Sequence, residues 1–155
     1  MVKARTRLPK FRPQQIPPVR HVPDMRRHFP GFAYQGGQGG VAVWIGTLQP
    51  SDGSPEYRVE VRLPGRGRPR LFARRPALVE GVEHVYADGS LCLYHPDDPT
   101  WDRGRPLSEV VALAAAWLWF YEDWLLTGTW LGPEVRHAGP KEQGLVLGPG
   151  DERSS

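Results

Sequence analysis

The chain of 155 residues has no asparagine, one cysteine and three lysines, Lys3, Lys10 and Lys141. A single cysteine excludes an internal disulfide and a zinc site built from several thiolates. Cys92 is therefore either a packing residue or a reactive thiol. The absence of asparagine removes that side-chain amide as a hydrogen-bond donor anywhere in a site. The lysine distribution leaves no side-chain amine between residues 10 and 141. Long apolar runs are also missing. The longest, Val110 to Tyr121, is closed by Glu122 and Asp123 and falls short of the roughly 20 residues a bilayer crossing needs. Residues 1–23 are basic and proline-rich and lack the apolar core of a signal peptide. The expectation is a cytoplasmic protein with no membrane segment.

What is present fits one globular domain. Apolar residues make up 39% and charged residues 24% of the chain, ordinary values for a soluble fold with one core. The net charge of +3 is carried by arginine, whose planar fork suits bidentate contact with carboxylate or phosphate. A solvated arginine-rich surface is the favoured account of it. Glycine and proline are frequent and concentrate at the ends and in loops. Pro9, Pro13, Pro17, Pro18 and Pro23 make residues 1–23 a basic tail. Residues 138–155 read as a second disordered tail, which leaves a folded domain over 24–137.

Within that domain Asp24 is placed to cap a short helix over Met25 to His28, ended by Pro30 and Gly31. Gly36, Gly37, Gly39 and Gly40 read as a flexible link. Val41 to Leu48 is rich in β-branched and aromatic residues. Tyr57 to Leu63 alternates, with Tyr57, Val59, Val61 and Leu63 on one side and Arg58, Glu60 and Arg62 on the other. Arg70 to Arg75 is a third strand ended by Pro76. Short connections favour an antiparallel meander. Leu107 to Leu126 is a helix, preceded by Pro106, with Ser108 available to cap it and Gly128 beyond its end. It is apolar nearly all round, which predicts cover on more than one side. Thr127 to His137 reads as an extension that packs Trp130 back on the core. This order gives an α+β fold, an antiparallel sheet with helices to one side.

Cys92 lies between the Asp88-Gly89 turn and His95-Pro96, a setting that predicts partial exposure. A thiolate there can attack an activated carboxyl. Asp97 and Asp98 follow closely. They could orient an incoming amine or take its proton, or simply form a turn with Pro99. As anions they would raise the thiol's pKa. His84, Cys92, His95 and His137 lack a standard ligand spacing, so no metal or cofactor is expected.

The run His84-Val85-Tyr86-Ala87-Asp88-Gly89-Ser90-Leu91-Cys92-Leu93, then Trp101 and a helix, resembles the active-site segment of ubiquitin-conjugating enzymes. Trp44-Ile45-Gly46-Thr47-Leu48, Pro50, Tyr57-Arg58-Val59 and Pro76 are similar to that family's meander. The ending Trp117-Leu118, Tyr121-Glu122, Trp124-Leu125, Thr127-Gly128, Trp130 and Gly132-Pro133-Glu134 to His137 looks like the short conjugating-enzyme-like proteins of bacterial antiphage systems. The group suggested is cyclic-oligonucleotide-based antiviral signalling (CBASS).

The resemblance implies the ubiquitin-conjugating-enzyme-like fold. It also implies a thioester at Cys92 and transfer of a protein's C-terminal carboxyl to an amine. The implied partners are an activating enzyme and either a ubiquitin-like protein or a cGAS/DncV-like nucleotidyltransferase. In the family, an asparagine after the histidine is usually assigned to stabilise the oxyanion. Here Val85 and Tyr86 follow His84. The candidates for that donor are the Tyr86 hydroxyl, His84, or backbone N–H groups near Asp88 and Gly89. His84 has a second reading as a structural residue that holds the segment. The rival function is a non-catalytic binding module for the same partners. Nucleic-acid binding through residues 1–20 and Arg66 to Arg75 is not favoured.

The lysine distribution generates a prediction. Any self-conjugation through lysine must map to the ends of the chain, chiefly Lys141 or Lys10. Peptide mapping of the modified protein checks this, and no lysine adduct is expected between residues 40 and 130.

Overall fold

The computed structural model describes residues 18–93 and 104–133. A 3-10 turn over Pro18–His21 runs into helix α1 (Val22–His28). Four strands follow, β1 (Ala33–Gln38), β2 (Val41–Leu48), β3 (Tyr57–Pro64) and β4 (Arg70–Arg75), and then helix α2 (Leu107–Thr127). The strands pair in chain order as one antiparallel sheet. The α+β architecture expected from the sequence is present, with one strand more than anticipated.

That strand is the glycine-rich stretch read above as a flexible link. Ala33 pairs with Ile45 and Tyr34 with Trp44, then the register shifts before Gly37 meets Ala42. Glycines lowered the strand propensity of the segment, yet the tertiary pairing overrides it. Gly39 and Gly40 both hold positive φ, 66° and 77°. A two-residue hairpin loop that matches strand twist requires this.

Alternation in β2 and β3 sends Ala42, Trp44, Leu48, Tyr57, Val59, Val61 and Leu63 into one core with Leu71, Leu91 and α2. Helix α2 gives that core Leu107, Val110, Val111, Ala114, Trp117, Leu118 and Tyr121. Its other side stays open. Leu113, Trp119, Leu125 and Leu126 are exposed, so the expectation of cover on more than one side is not met among the described residues. By length and composition the full helix could cross a membrane, although the uninterrupted apolar run suggested otherwise. Its buried face is nonetheless committed to the sheet.

Helix α1 begins three residues before the start that Asp24 suggested, with Pro23 tolerated in its first turn. Helical structure therefore reaches back into residues 18–23, which proline spacing assigned to a tail. Asp24 caps a different helix. Its carboxylate accepts hydrogen bonds from Ser108 N (2.9 Å) and Ser108 Oγ (2.7 Å). Ser108 is thus the donor at the start of α2 and does not cap it, and the cap comes from 84 residues away in sequence. At the far end Gly128 takes the left-handed conformation (φ 76°) and its N–H bonds the Trp124 carbonyl at 2.8 Å.

A close approach fixes α1 onto the sheet. The Phe32 ring lies directly against Gly46 in β2, where a Cβ would overlap it. Phe32 also meets Phe29 edge-on at 5.8 Å between centroids. Gly46→Ala is therefore expected to destabilise the fold by about 1–3 kcal/mol through overpacking. Chemical denaturation should show a lower midpoint at unchanged slope, and an unchanged midpoint would contradict the packing described.

Candidate active site

After β4 the chain turns back on itself. Val85 and Leu91 form an isolated antiparallel bridge, and Tyr86 to Gly89 is the turn between them. Tyr86 N donates to Ser90 O and Gly89 N to Tyr86 O, each at 2.9 Å. Asp88 ties this hairpin from inside. Its Oδ1 accepts bonds from Ser90 N (2.9 Å) and Ser90 Oγ (2.6 Å), and its Oδ2 accepts Arg70 Nη1 at 2.9 Å. Burial alone would raise the Asp88 pKa, but the Ser90 bonds and the Arg70 charge hold it below the ordinary carboxylate range.

The hairpin is docked on the sheet. Leu91 N donates to Leu71 O of β4 at 2.9 Å, and Leu91 enters the common core. Cys92 N donates to His84 O, also at 2.9 Å. His84 holds a φ of 63°, a left-handed conformation that costs a residue with a side chain roughly 1–2 kcal/mol. Its ring packs on Trp130, 4.7 Å between centroids. Trp130 in turn meets Trp117 at 5.4 Å and Phe120 at 6.2 Å. This places Trp130 back on α2, as the sequence suggested, and gives His84 a positioning role. Its Nδ1 is buried and has no hydrogen-bond partner among the described residues.

Cys92 is only 3% exposed. The partial exposure expected from its neighbours is not observed, because the hairpin packs Ser90, Leu91 and Cys92 together under the edge of β4. The thiol pKa is pushed up to about 12, first by burial and then by the Asp88 carboxylate; a hydrogen bond with the Tyr86 side chain works the other way. That bond steadies the thiolate form. Tyr86 is itself pushed up, chiefly by burial and next by the charge of Cys92.

Of the residues singled out in the sequence, Cys92, Tyr86 and His84 come together in this hairpin. Asp97 and Asp98 lie outside the described residues, as do His95 and His137. Sequence reasoning treated Asp88 as a turn signal and missed its contacts. The signal available was the Asp-Gly-Ser order, which places a carboxylate two residues before a hydroxyl.

A family model described as Type II CBASS E2 protein matches residues 21–138 of the chain. No curated protein matches it.

The opposed effects of Tyr86 and Asp88 on one sulfur predict shifts of opposite sign. Alkylation of Cys92 by iodoacetamide should be slow near pH 7 and accelerate steeply as pH rises toward about 12. Tyr86→Phe removes the hydrogen bond and should move that profile to higher pH. Asp88→Asn keeps an acceptor for Ser90 but removes the charge, and should move it to lower pH. Parallel shifts in both variants would contradict the assignment.

Proposed function

The chain belongs to the Type II CBASS E2 protein family, which places it in antiphage defence, and on that premise we propose that Cys92 is its acyl acceptor. The four-strand meander, the cysteine hairpin and the long following helix support a ubiquitin-conjugating-like fold for the domain. In this reading the cysteine sulfur, as thiolate, attacks the C-terminal carbonyl carbon of a protein already activated as an adenylate or a thioester. The new S–C bond forms as AMP or the donor thiol leaves. An amine then attacks the thioester, the S–C bond breaks, and the sulfur departs as thiolate while the amine gives up a proton.

The observation that carries the reading is the side-chain hydrogen bond between Tyr86 and Cys92. A chain without asparagine needs another group to steady negative charge, first on sulfur and then on the tetrahedral oxyanion. In this reading the Tyr86 hydroxyl takes both tasks. His84 serves as a positioning residue. Its carbonyl fixes the Cys92 backbone and its ring is held by Trp130. The elevated thiol pKa suits a nucleophile that stays silent toward cellular electrophiles and reacts with a strongly activated donor. The family setting favours a cGAS/DncV-like nucleotidyltransferase as the protein transferred, with an activating enzyme upstream and the reaction in the cytoplasm. Asp97 and Asp98 remain proposed aids to the incoming amine.

One observation favours the second reading, a non-catalytic binding module. A cysteine that is 3% exposed with a raised pKa is the usual form of an inert core thiol. The two readings separate in one experiment. The full chain is co-expressed with the nucleotidyltransferase and the activating enzyme, purified without reductant and weighed intact. The transferase reading expects a covalent adduct that thiol reagents release and that Cys92→Ala abolishes. Partner binding with no covalent species in either form would establish the module. Tyr86→Phe should lower the adduct yield by about 10-fold or more, in line with loss of one oxyanion donor.

A further inference from the structure

The outer face of the sheet carries a groove that cysteine chemistry does not require. Because Val61 and Leu71 face the core, their neighbours Arg62, Arg70, Phe72 and Arg74 face outward. The turn between β3 and β4 adds Arg66 and Arg68, and the cysteine hairpin closes one side. The cavity measures about 1040 Å³. Five arginines line it, and Asp88 is the single acidic residue among its described lining. Two of the five, Arg62 and Arg74, share Glu60 at 3.4 and 2.8 Å. Clustering this many like charges on one concave wall focuses a positive potential into it.

The groove runs alongside the cysteine hairpin. Tyr86, Ser90 and Leu91 line it, and the Tyr86 side chain is hydrogen-bonded to Cys92. We propose that this groove holds an acidic, extended segment of the protein whose C-terminal carboxyl is loaded on Cys92. The inference rests on the thioester reading for its direction and on the groove itself for its chemistry. Guanidinium forks pair with carboxylates bidentately, and five arginines line the groove against two carboxylates, Asp88 bonded to Arg70 and Glu60 bonded to Arg62 and Arg74. A single-stranded nucleic acid is the competing polyanion, and it gains much of its affinity by stacking bases on aromatic faces. Phe72 is not open for that. The Arg74 guanidinium already covers its ring at 4.2 Å.

The test uses the full chain carrying Cys92→Ala, which keeps covalent chemistry out of the measurement. Fluorescence anisotropy follows binding of a short glutamate-rich peptide with a free C-terminus, a lysine-rich peptide of equal length, and an oligothymidylate of matched charge. The glutamate-rich peptide should bind best, with affinity that falls as salt rises. Arg62→Glu combined with Arg66→Glu should weaken it by about 10-fold or more, and Arg62→Lys combined with Arg66→Lys should keep most of it. If the reversed variant melts early, Arg62→Gln with Arg66→Gln replaces it, with a smaller loss expected. Equal binding of both peptides, indifference to these substitutions, or tighter binding of the oligonucleotide would overturn the proposal. The covalent assay separates the two claims. Acidic-peptide binding without any adduct keeps the groove and removes the thioester. Wild-type adduct formation in a chain that carries Arg62→Glu and Arg66→Glu but retains Cys92 removes the groove and keeps the thioester.

Discussion

The hydrogen bond from Leu91 N to the Leu71 carbonyl, 2.9 Å long, is the constraint on which the site depends. It joins a hairpin that has little structure of its own to the edge of a sheet that has a great deal. β4 is paired to β3 through five residue partners, and β3 alternates cleanly into the core that α2 covers. With Leu91 fixed there, Ser90 and Cys92 are held buried beside it. Asp88 sets the turn by accepting two bonds from Ser90 and one from Arg70. The position of the sulfur is thus inherited from the sheet through one backbone contact and one carboxylate.

From the other side the hairpin is braced by aromatic rings. His84 tolerates an unfavourable backbone conformation because its carbonyl receives the Cys92 N–H and its ring packs on Trp130. Trp130 is carried to this point by the left-handed turn at Gly128, which ends α2 and reverses the chain. Asp24 secures the opposite end of α2. The helix is therefore registered at both termini, and its register decides where Trp117 and Trp130 meet. Within this frame the thiol is subject to two competing influences. Burial and Asp88 favour the neutral form, while Tyr86 favours the anion. The balance leaves the neutral thiol favoured near pH 7.

Much of this was legible in the residues. Alternation in Tyr57 to Leu63, the β-branched run Val41 to Leu48 and the Pro76 stop located three strands, because period and propensity agreed. The Pro106 start and Gly128 stop located α2. β1 was missed because its glycines hide a strand whose order comes from pairing with β2. Gly46 showed in the sequence as part of a Trp-x-Gly pattern, but only the Phe32 ring explains the need for glycine there. For the site, the cysteine and its neighbours Tyr86 and His84 were identifiable, and their juxtaposition followed from a short turn. The burial of Cys92 was not, since exposure depends on what packs over a loop and local turn signals do not record it. The arginine groove was unreadable for a related reason: its members come from two strands and a turn, and only the pairing register collects them.

In the proposed reaction the sulfur of Cys92 forms a bond to the carboxyl terminus of another protein. Replacing that sulfur by oxygen tests it most directly, because an ester is slower to react than a thioester and survives isolation. The Cys92→Ser chain, incubated with the activated partner, should yield a species stable to thiols but cleaved by base. Tandem mass spectrometry should place the bond between residue 92 and the partner's terminal carboxyl. A bond mapped to any other residue of this chain would contradict the account.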